Sequence, residues 1–255
     1  MSTPQKSTVK RVISAEDKIL LIGLPIIVAA GLIGWAIWRN TADLGDVEER
    51  QLAWGTVLEL TRQHLLLVAI CAVIVLVLAI PAGILFTRPK LQFLAPIVTG
   101  IANAGQSAPV IGVIVLLAMW IAFGIPVAVL SLSLYAFLPV LSNTIAGLRG
   151  VDPTLIESAR GMGMTNWQVL RQVELPLALP IIMTGVRTAL VLLAGTASFA
   201  TFIDAGGLGA LIQTGITLYR FRILVSGALL IALLALVVEW LGRLAEVYLK
   251  PKGLE

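Results

Sequence analysis

Against an apolar background, the side chains able to do chemistry are few. Thr99, Asn103 and Gln106 fall at i, i+4 and i+7, so a helix would carry them on one face. Ser107 follows, and Pro109 removes a backbone N–H, which is expected to expose the carbonyl of Gly105. Asn143 and Thr144 place further polar groups in a later apolar run. Polar side chains inside membrane helices either face a solute path or bond a neighbouring helix, and this spacing is compatible with both. Asp204, Gly206, Gly207 and Gly209 form a glycine-rich stretch, read as a tight outer turn or as a loop that dips back into the protein. His64 opens an apolar run and is expected at an interface rather than as a proton carrier. Arg187 is expected to snorkel or to pair within the bundle, and Glu239 is the only acidic residue deep in a span. No catalytic triad or metal-ligand cluster is evident. The G-x4-G-K-[ST] phosphate loop is missing, which excludes ATP binding by that route.

These residues must be positioned by membrane helices. The chain is 58% hydrophobic and only 13% charged, with a mean hydropathy of +0.99. Its apolar runs are long enough to cross a hydrocarbon layer about 30 Å thick. Six spans are expected, near 19–38, 64–86, 94–121, 125–147, 181–203 and 221–242. The first is too long for a signal-peptide core, and "WAIWRN" has no small-x-small cleavage pattern, so it is expected to stay in the membrane. With the N-terminus inside, Lys6, Lys10, Arg11, Lys18, Arg88, Lys90, Arg149, Arg160, Arg171, Arg243, Lys250 and Lys252 lie on the inner side. Only Arg39, Arg50, Arg62, Arg220 and Arg222 then lie outside, along with the acidic Asp43–Glu49. That asymmetry predicts both termini in the cytoplasm. The net charge of +4 thus reports topology, not nucleic-acid binding. Trp35, Trp38, Trp120 and Trp240 are expected at the membrane interfaces. The single Cys71 cannot form an internal disulfide.

The inner segment 151–176, "VDPTLIESARGMGMTNWQVLRQVELP", carries five charged residues between two apolar runs. Its local signals predict two short helices. Asp152 is a good N-cap with Pro153 at the first helical position. Gly161 and Gly163 can end that helix in a left-handed conformation. Thr165 and Gln168 have capping-box spacing and open a second helix. Pro176 and Pro180 are expected to break the chain before the fifth span. A pair of capped surface helices here suits a docking segment for a cytoplasmic partner, or else an amphipathic loop.

Glu157-Ser158-Ala159, Gly163 and Val173-Glu174-Leu175-Pro176 also match, in spacing, the E-A-A-x3-G-x9-I-x-L-P loop of ABC importer permeases, with Ser158 and Val173 as small departures. From about residue 56 to 242 the chain resembles the MetI-like transport domain of that family. The resemblance implies an all-α integral membrane protein of five core spans plus one extra N-terminal span. Its expected divisions are a tail over 1–18, the extra helix over 19–38, an outer loop over 39–55, the transport domain over 56–242 and a tail over 243–255. It implies that segment 151–176 couples to the ATPase. Leu155, Ile156, Ala159 and Met162 would supply apolar contact, Glu157 would cap or ion-pair at the joint, and Gly163 would supply the turn. Ser158, Leu175 and Pro176 complete the segment.

The resemblance further implies a separate pair of ATPase subunits carrying ATP and magnesium, with no cofactor on this chain. It implies a second permease copy or homologue, an extracytoplasmic solute-binding protein, and placement in a bacterial inner membrane. Leu134–Met164, Phe202–Ile216 and "QSAP" at Gln106–Pro109 resemble the permeases of osmoprotectant importers. Their cargo is glycine betaine, carnitine, choline and related quaternary-ammonium solutes. In that light Thr99, Asn103, Gln106, Ser107, Asn143 and Thr144 would line the translocation path. Asp204, Gly206, Gly207 and Gly209 would form an outer gate. The alternatives are a permease for methionine, nitrate or phosphonate, an ion-coupled transporter, which needs a buried acidic or histidine relay, and a membrane enzyme, which needs a catalytic cluster.

Overall fold

The computed structural model describes residues 15–249, and among these it contains helices and turns but no strand. The tail residues read above as topology signals, Lys6, Lys10, Arg11, Lys250 and Lys252, lie outside the described residues, as does the side chain of Lys18. In order, the helices are α1 (Ala15–Thr41), α2 (Asp46–Gln51), α3 (Trp54–Phe86), α4 (Ala95–Ser107), α5 (Val110–Trp120) and α6 (Ile125–Arg149). They continue with α7 (Pro153–Gly161), α8 (Asn166–Val169), α9 (Leu175–Thr196), α10 (Gly209–Thr217) and α11 (Phe221–Leu249). Five stretches, at Ile19–Thr41, Trp54–Phe86, Ile125–Arg149, Asn166–Ile203 and Phe221–Leu249, are long and apolar enough to cross a membrane.

The expected third span over 94–121 is not a straight rod. It is the pair α4 and α5, bent by 98° at Ala108–Pro109. At 1.5 Å per residue neither half reaches across a 30 Å hydrocarbon layer. Pro109 caps α5, and the carbonyl of Gly105 is not left bare, because the Ala108 N–H reaches it at 3.3 Å. The expected break at Pro176 and Pro180 is also absent. A widened π turn over Leu170–Glu174 joins α8 to α9 without interruption, with Leu175 N–H bonded to the Leu170 carbonyl five residues back. The wider turn makes room for the Pro176 ring, which takes a first-turn position in α9, and Pro180 lies inside that helix.

The core is a seam of α3, α6 and α9. Association of membrane helices depends on close packing, because lipid is as apolar as the side chains. Three glycines permit it. A Cβ on Gly83 would lie 2.6 Å from Thr144, one on Gly185 would lie 2.5 Å from Asn143, and one on Gly147 would lie 3.0 Å from the Ala178 carbonyl. α1 packs along α11 at the edge. The Trp240 indole donates to the Leu21 carbonyl at 3.0 Å, and Arg222 donates to the Asp43 carbonyl at 2.6 Å. Trp35 is buried edge-on against Trp54.

Candidate functional site: the helical segment between α6 and α9

The segment after α6 is built from local backbone signals. The Asp152 carboxylate accepts the Thr154 N–H at 2.8 Å, and that bond holds its pKa below the ordinary aspartate value. α7 ends in a Schellman motif. Met164 N–H bonds the Ala159 carbonyl at 3.2 Å, Gly163 N–H bonds Arg160 at 2.9 Å, and Gly163 takes φ +86°. Gly161 stays in the helix and supplies no left-handed turn. Thr165 and Gln168 then exchange two bonds, at 2.8 and 3.3 Å, in a capping box.

The two faces of this segment differ. Ala159, Val169 and Leu170 are buried, and Ile156 and Leu175 are half-buried against the helical core. Of the four residues expected to supply apolar contact, Ala159 is enclosed by its own bundle, which corrects that expectation, while Ile156 is shared between the bundle and the surface. Pro176 is likewise half-buried at the start of α9. The outward face carries Leu155 (47% exposed), Met162 (77%) and Trp167 (66%), with Glu157, Ser158 and Gly163 beside them. Trp167 escaped the sequence reading because it lies outside the matched motif, although an exposed Trp is a strong marker of an interface.

Glu157 makes no ion pair at the joint. It is exposed and bonds no other side chain among the described residues. The ion pair of this region lies further along, where the buried Glu174 carboxylate takes two bonds from the Arg88 guanidinium just past the end of α3. No local signal links residues 86 positions apart. The other charges expected near this end form a network. Arg187 pairs with Glu246 at 2.8 Å and with Glu239 at 3.4 Å, and Glu239 also holds Arg243 at 2.9 Å.

The polar stripe divides into two groups. Gln106 donates to the Tyr135 carbonyl at 3.2 Å. That carbonyl lacks its helical partner because residue 139 is proline, so the Gln106 amide repairs a backbone defect in α6. Asn143 donates to the Pro139 carbonyl at 2.8 Å and is packed against Gly185. Thr144 is fully buried against Gly83, its hydroxyl returned to the Val140 carbonyl at 2.7 Å. Thr144 thus belongs to the helix seam, and Asn143 lies half-buried beside it. Asn103 and Ser107 are exposed on α4, the Ser107 hydroxyl bonding the Asn103 carbonyl at 2.9 Å. Thr99 lines a cleft of about 430 Å³ with Gln92, Phe93, Pro96, Ile145 and Arg149, at the end of the bundle that carries α7.

At the opposite end, a 3-10 turn over Ala197–Ile203 leads to Asp204, which is exposed and left-handed at φ +61°. Gly206 and Gly207 are left-handed too, and Gly207 N–H bonds the Gln63 side chain at 3.2 Å. Gly209 is seated against the Ser198 carbonyl, where a side chain has no room. Asp204, Gly206, Arg62 and Gln63 share a cleft of about 510 Å³ with apolar residues of α3 and α6. His64 is enclosed by protein. It is fully buried, its Nε2 lies 2.9 Å from the Ala194 carbonyl, and its ring abuts Gly207. Among the described residues no group of His, Cys, Asp and Glu is placed to hold a metal ion.

The described residues thus combine five long apolar helices, one sharply bent helix pair and a capped segment between α6 and α9. Residues 79–247 match the family model described as the binding-protein-dependent transport system inner membrane component. The chain belongs to that family: it is a multi-span ABC importer permease of the inner membrane, a transport component. It is 42% identical over 196 residues to the "Carnitine transport permease protein OpuCB" of Listeria monocytogenes, covering 76% of this chain and 88% of the relative. It is 43% identical over 205 residues to the "Osmoprotectant import permease protein OsmW" of Salmonella typhimurium, covering 78% and 94%. With the "Osmoprotectant import permease protein OsmY" of Salmonella typhimurium the match reaches 240 residues at 38% identity, 92% of this chain and 95% of the relative. The fold is similar to a chain of the MetNI methionine ABC transporter in an inward-facing conformation, with a TM-score of 0.69 at 24% identity over 76% of this chain and 96% of that one.

Proposed function

We propose that this permease carries quaternary-ammonium osmoprotectants, glycine betaine, carnitine or choline, and couples their passage to a separate pair of ATPase subunits. The observation that carries the coupling is the segment 152–169, capped at both helices and presenting Leu155, Met162 and Trp167 outward. Exposed apolar and aromatic side chains on a rigid helical surface suit a partner's groove. ATP and magnesium would be bound by that partner. The names of the relatives support the cargo. The Lys and Arg asymmetry of the sequence supports both termini, and this segment, on the cytoplasmic side. An extracytoplasmic binding protein would deliver the solute, with the turn at Asp204–Gly209 as the gate it meets.

Thr144 is packed into the helix seam, whereas polar side chains of α4 are exposed. The exposed Asn103 and Ser107, with Thr99, would therefore line the path against a second permease copy or a homologue. Closure of the ATPase pair would tilt the helices as rigid bodies and open the path alternately to each side.

The test is reconstitution in liposomes with the ATPase, the binding protein and labelled glycine betaine, followed by competition. Uptake should require ATP and all partners, and should be competed by carnitine or choline but not by methionine. ATP-independent uptake by the isolated chain would overturn the coupled mechanism. ATP-driven uptake blocked by methionine and not by betaine would overturn the cargo.

A further inference from the structure

We propose that Arg88 and Glu174 are positioning residues that transmit the movement of the α7–α8 segment to the broken span α4/α5; this rests on the coupling reading above. Glu174 closes the π turn that fuses α8 to α9, so the chain from Asn166 to Thr196 is one uninterrupted lever. A push on α7 and α8 reaches α9 at this turn. The Glu174 carboxylate is 5% exposed, and the Arg88 guanidinium meets both its oxygens. Two parallel bonds fix direction as well as distance, which a single point contact does not.

Arg88 is itself anchored, its Nε bonding the Ile84 carbonyl in the last turn of α3 at 3.3 Å. Only residues 89–94 separate it from α4, the half-span that carries Thr99, Asn103 and Gln106. Among the described residues, this is the one ion pair that joins the lever to the connection between α3 and α4. α9 is also held to α3 at the opposite end, by His64 and the Ala194 carbonyl. Held at both ends, α3 and α9 move as one, and the displacement is delivered where α4 begins.

The experiment separates a clamp from a merely stabilising pair. The variants are Arg88→Gln, Glu174→Gln and the double change Arg88→Met with Glu174→Met. Each is assembled with the ATPase and binding protein in liposomes. Uptake and ATP hydrolysis are measured on the same vesicles, with labelled glycine betaine or, where the wild-type complex carries another solute, with that solute. A single change strands a buried charge, whereas the double change removes both charges and restores packing. The double variant should therefore accumulate in the membrane and recruit ATPase as the wild type does. Its solute moved per ATP hydrolysed should still fall about tenfold, the scale of one strong pairwise interaction. Wild-type solute per ATP in the double variant would overturn the clamp. A wild-type chain that recruits no ATPase would overturn the coupling reading and the clamp together. Normal recruitment with an unchanged ratio would overturn the clamp alone.

Discussion

The segment 152–169 and the broken span α4/α5 both carry polar residues at helical spacing, yet they use them in opposite ways. In the first, polar groups satisfy backbone of their own neighbourhood. Asp152 serves Thr154, and Thr165 and Gln168 serve each other. That leaves the apolar side chains free to face outward. In the second, polar groups are spent on distant backbone or turned back on their own helix. Gln106 serves Tyr135, 29 residues away, and Thr99 and Ser107 return to carbonyls four residues earlier. A polar side chain in a membrane helix is thus to be weighed first against the nearest backbone defect, and only afterwards against a solute path.

The largest expected effect tests the outward face. Trp167→Ala, or Leu155→Asp with Met162→Asp, should weaken ATPase association by about 30-fold or more, the range of an interface anchor. Co-purification from membranes measures it. Ile156→Asp should instead reduce the amount of folded chain, since Ile156 packs on the bundle. Loss of ATPase binding from Ile156→Asp with normal folding would reverse the assignment of the two faces.

Next comes the repaired carbonyl. Gln106→Leu leaves the Tyr135 carbonyl without a donor and should cost about 1–3 kcal/mol. Adding Pro139→Ala supplies a helical N–H to that carbonyl and should recover most of the loss. Thermal unfolding in detergent reads both. If Pro139→Ala brings no recovery, the role assigned to Gln106 is wrong.

A smaller effect distinguishes two glycines of the same turn. Gly163 is left-handed in open space, so Gly163→Ala meets no clash and pays only the backbone term, about 1–2 kcal/mol. Gly161→Ala, inside the helix, should be neutral or mildly stabilising. Protease resistance of segment 151–176 compares them. Equal sensitivity would contradict the left-handed turn.

The smallest effect is that of acid on the cap. The Thr154 N–H holds the Asp152 pKa down in the folded chain, so the carboxylate contributes stability above the ordinary aspartate pKa. That contribution is lost as pH falls through the depressed folded value. The N-terminus of α7 should therefore keep its hydrogen-exchange protection at pH 5, and Asp152→Ala should lack it at every pH. Protection lost in the wild type between pH 7 and 5 would remove the cap from the account.

What was legible in the sequence follows the same division. Asp152, Gly163, Thr165 and Gln168 act over a few residues, so their spacing alone located two helices and the turn between them. α3 begins ten residues before the apolar run expected to cross the membrane from residue 64. Glu59, Arg62 and Gln63 lower its hydropathy there, although they pair along the helix, Glu59 with Arg62 at 2.8 Å. The fate of Pro176 depended on a widened turn that no residue type announces, and the fate of Glu174 depended on Arg88, which the chain brings near only when α3 and α9 are packed. Pro139 was the one usable signal for Gln106, since a proline in an apolar helix announces a carbonyl in need of a donor.

The docking of α1 on α11 has a consequence for the order of events during synthesis. α1 is made long before α11, whose groups hold it and the connection that follows it: the Trp240 indole on the Leu21 carbonyl, and Arg222 on Asp43 and Glu48. About 180 residues must be made and threaded into the bilayer before Arg222 reaches its partners. Until then α1 has only its early neighbours, Trp54 against Trp35 and the Leu52 carbonyl on Arg39, and the docking of α11 completes its packing. A change that spoils this last contact, such as Arg222→Glu, should leave the seam of α3, α6 and α9 intact and expose α1 to the membrane's quality-control proteases instead.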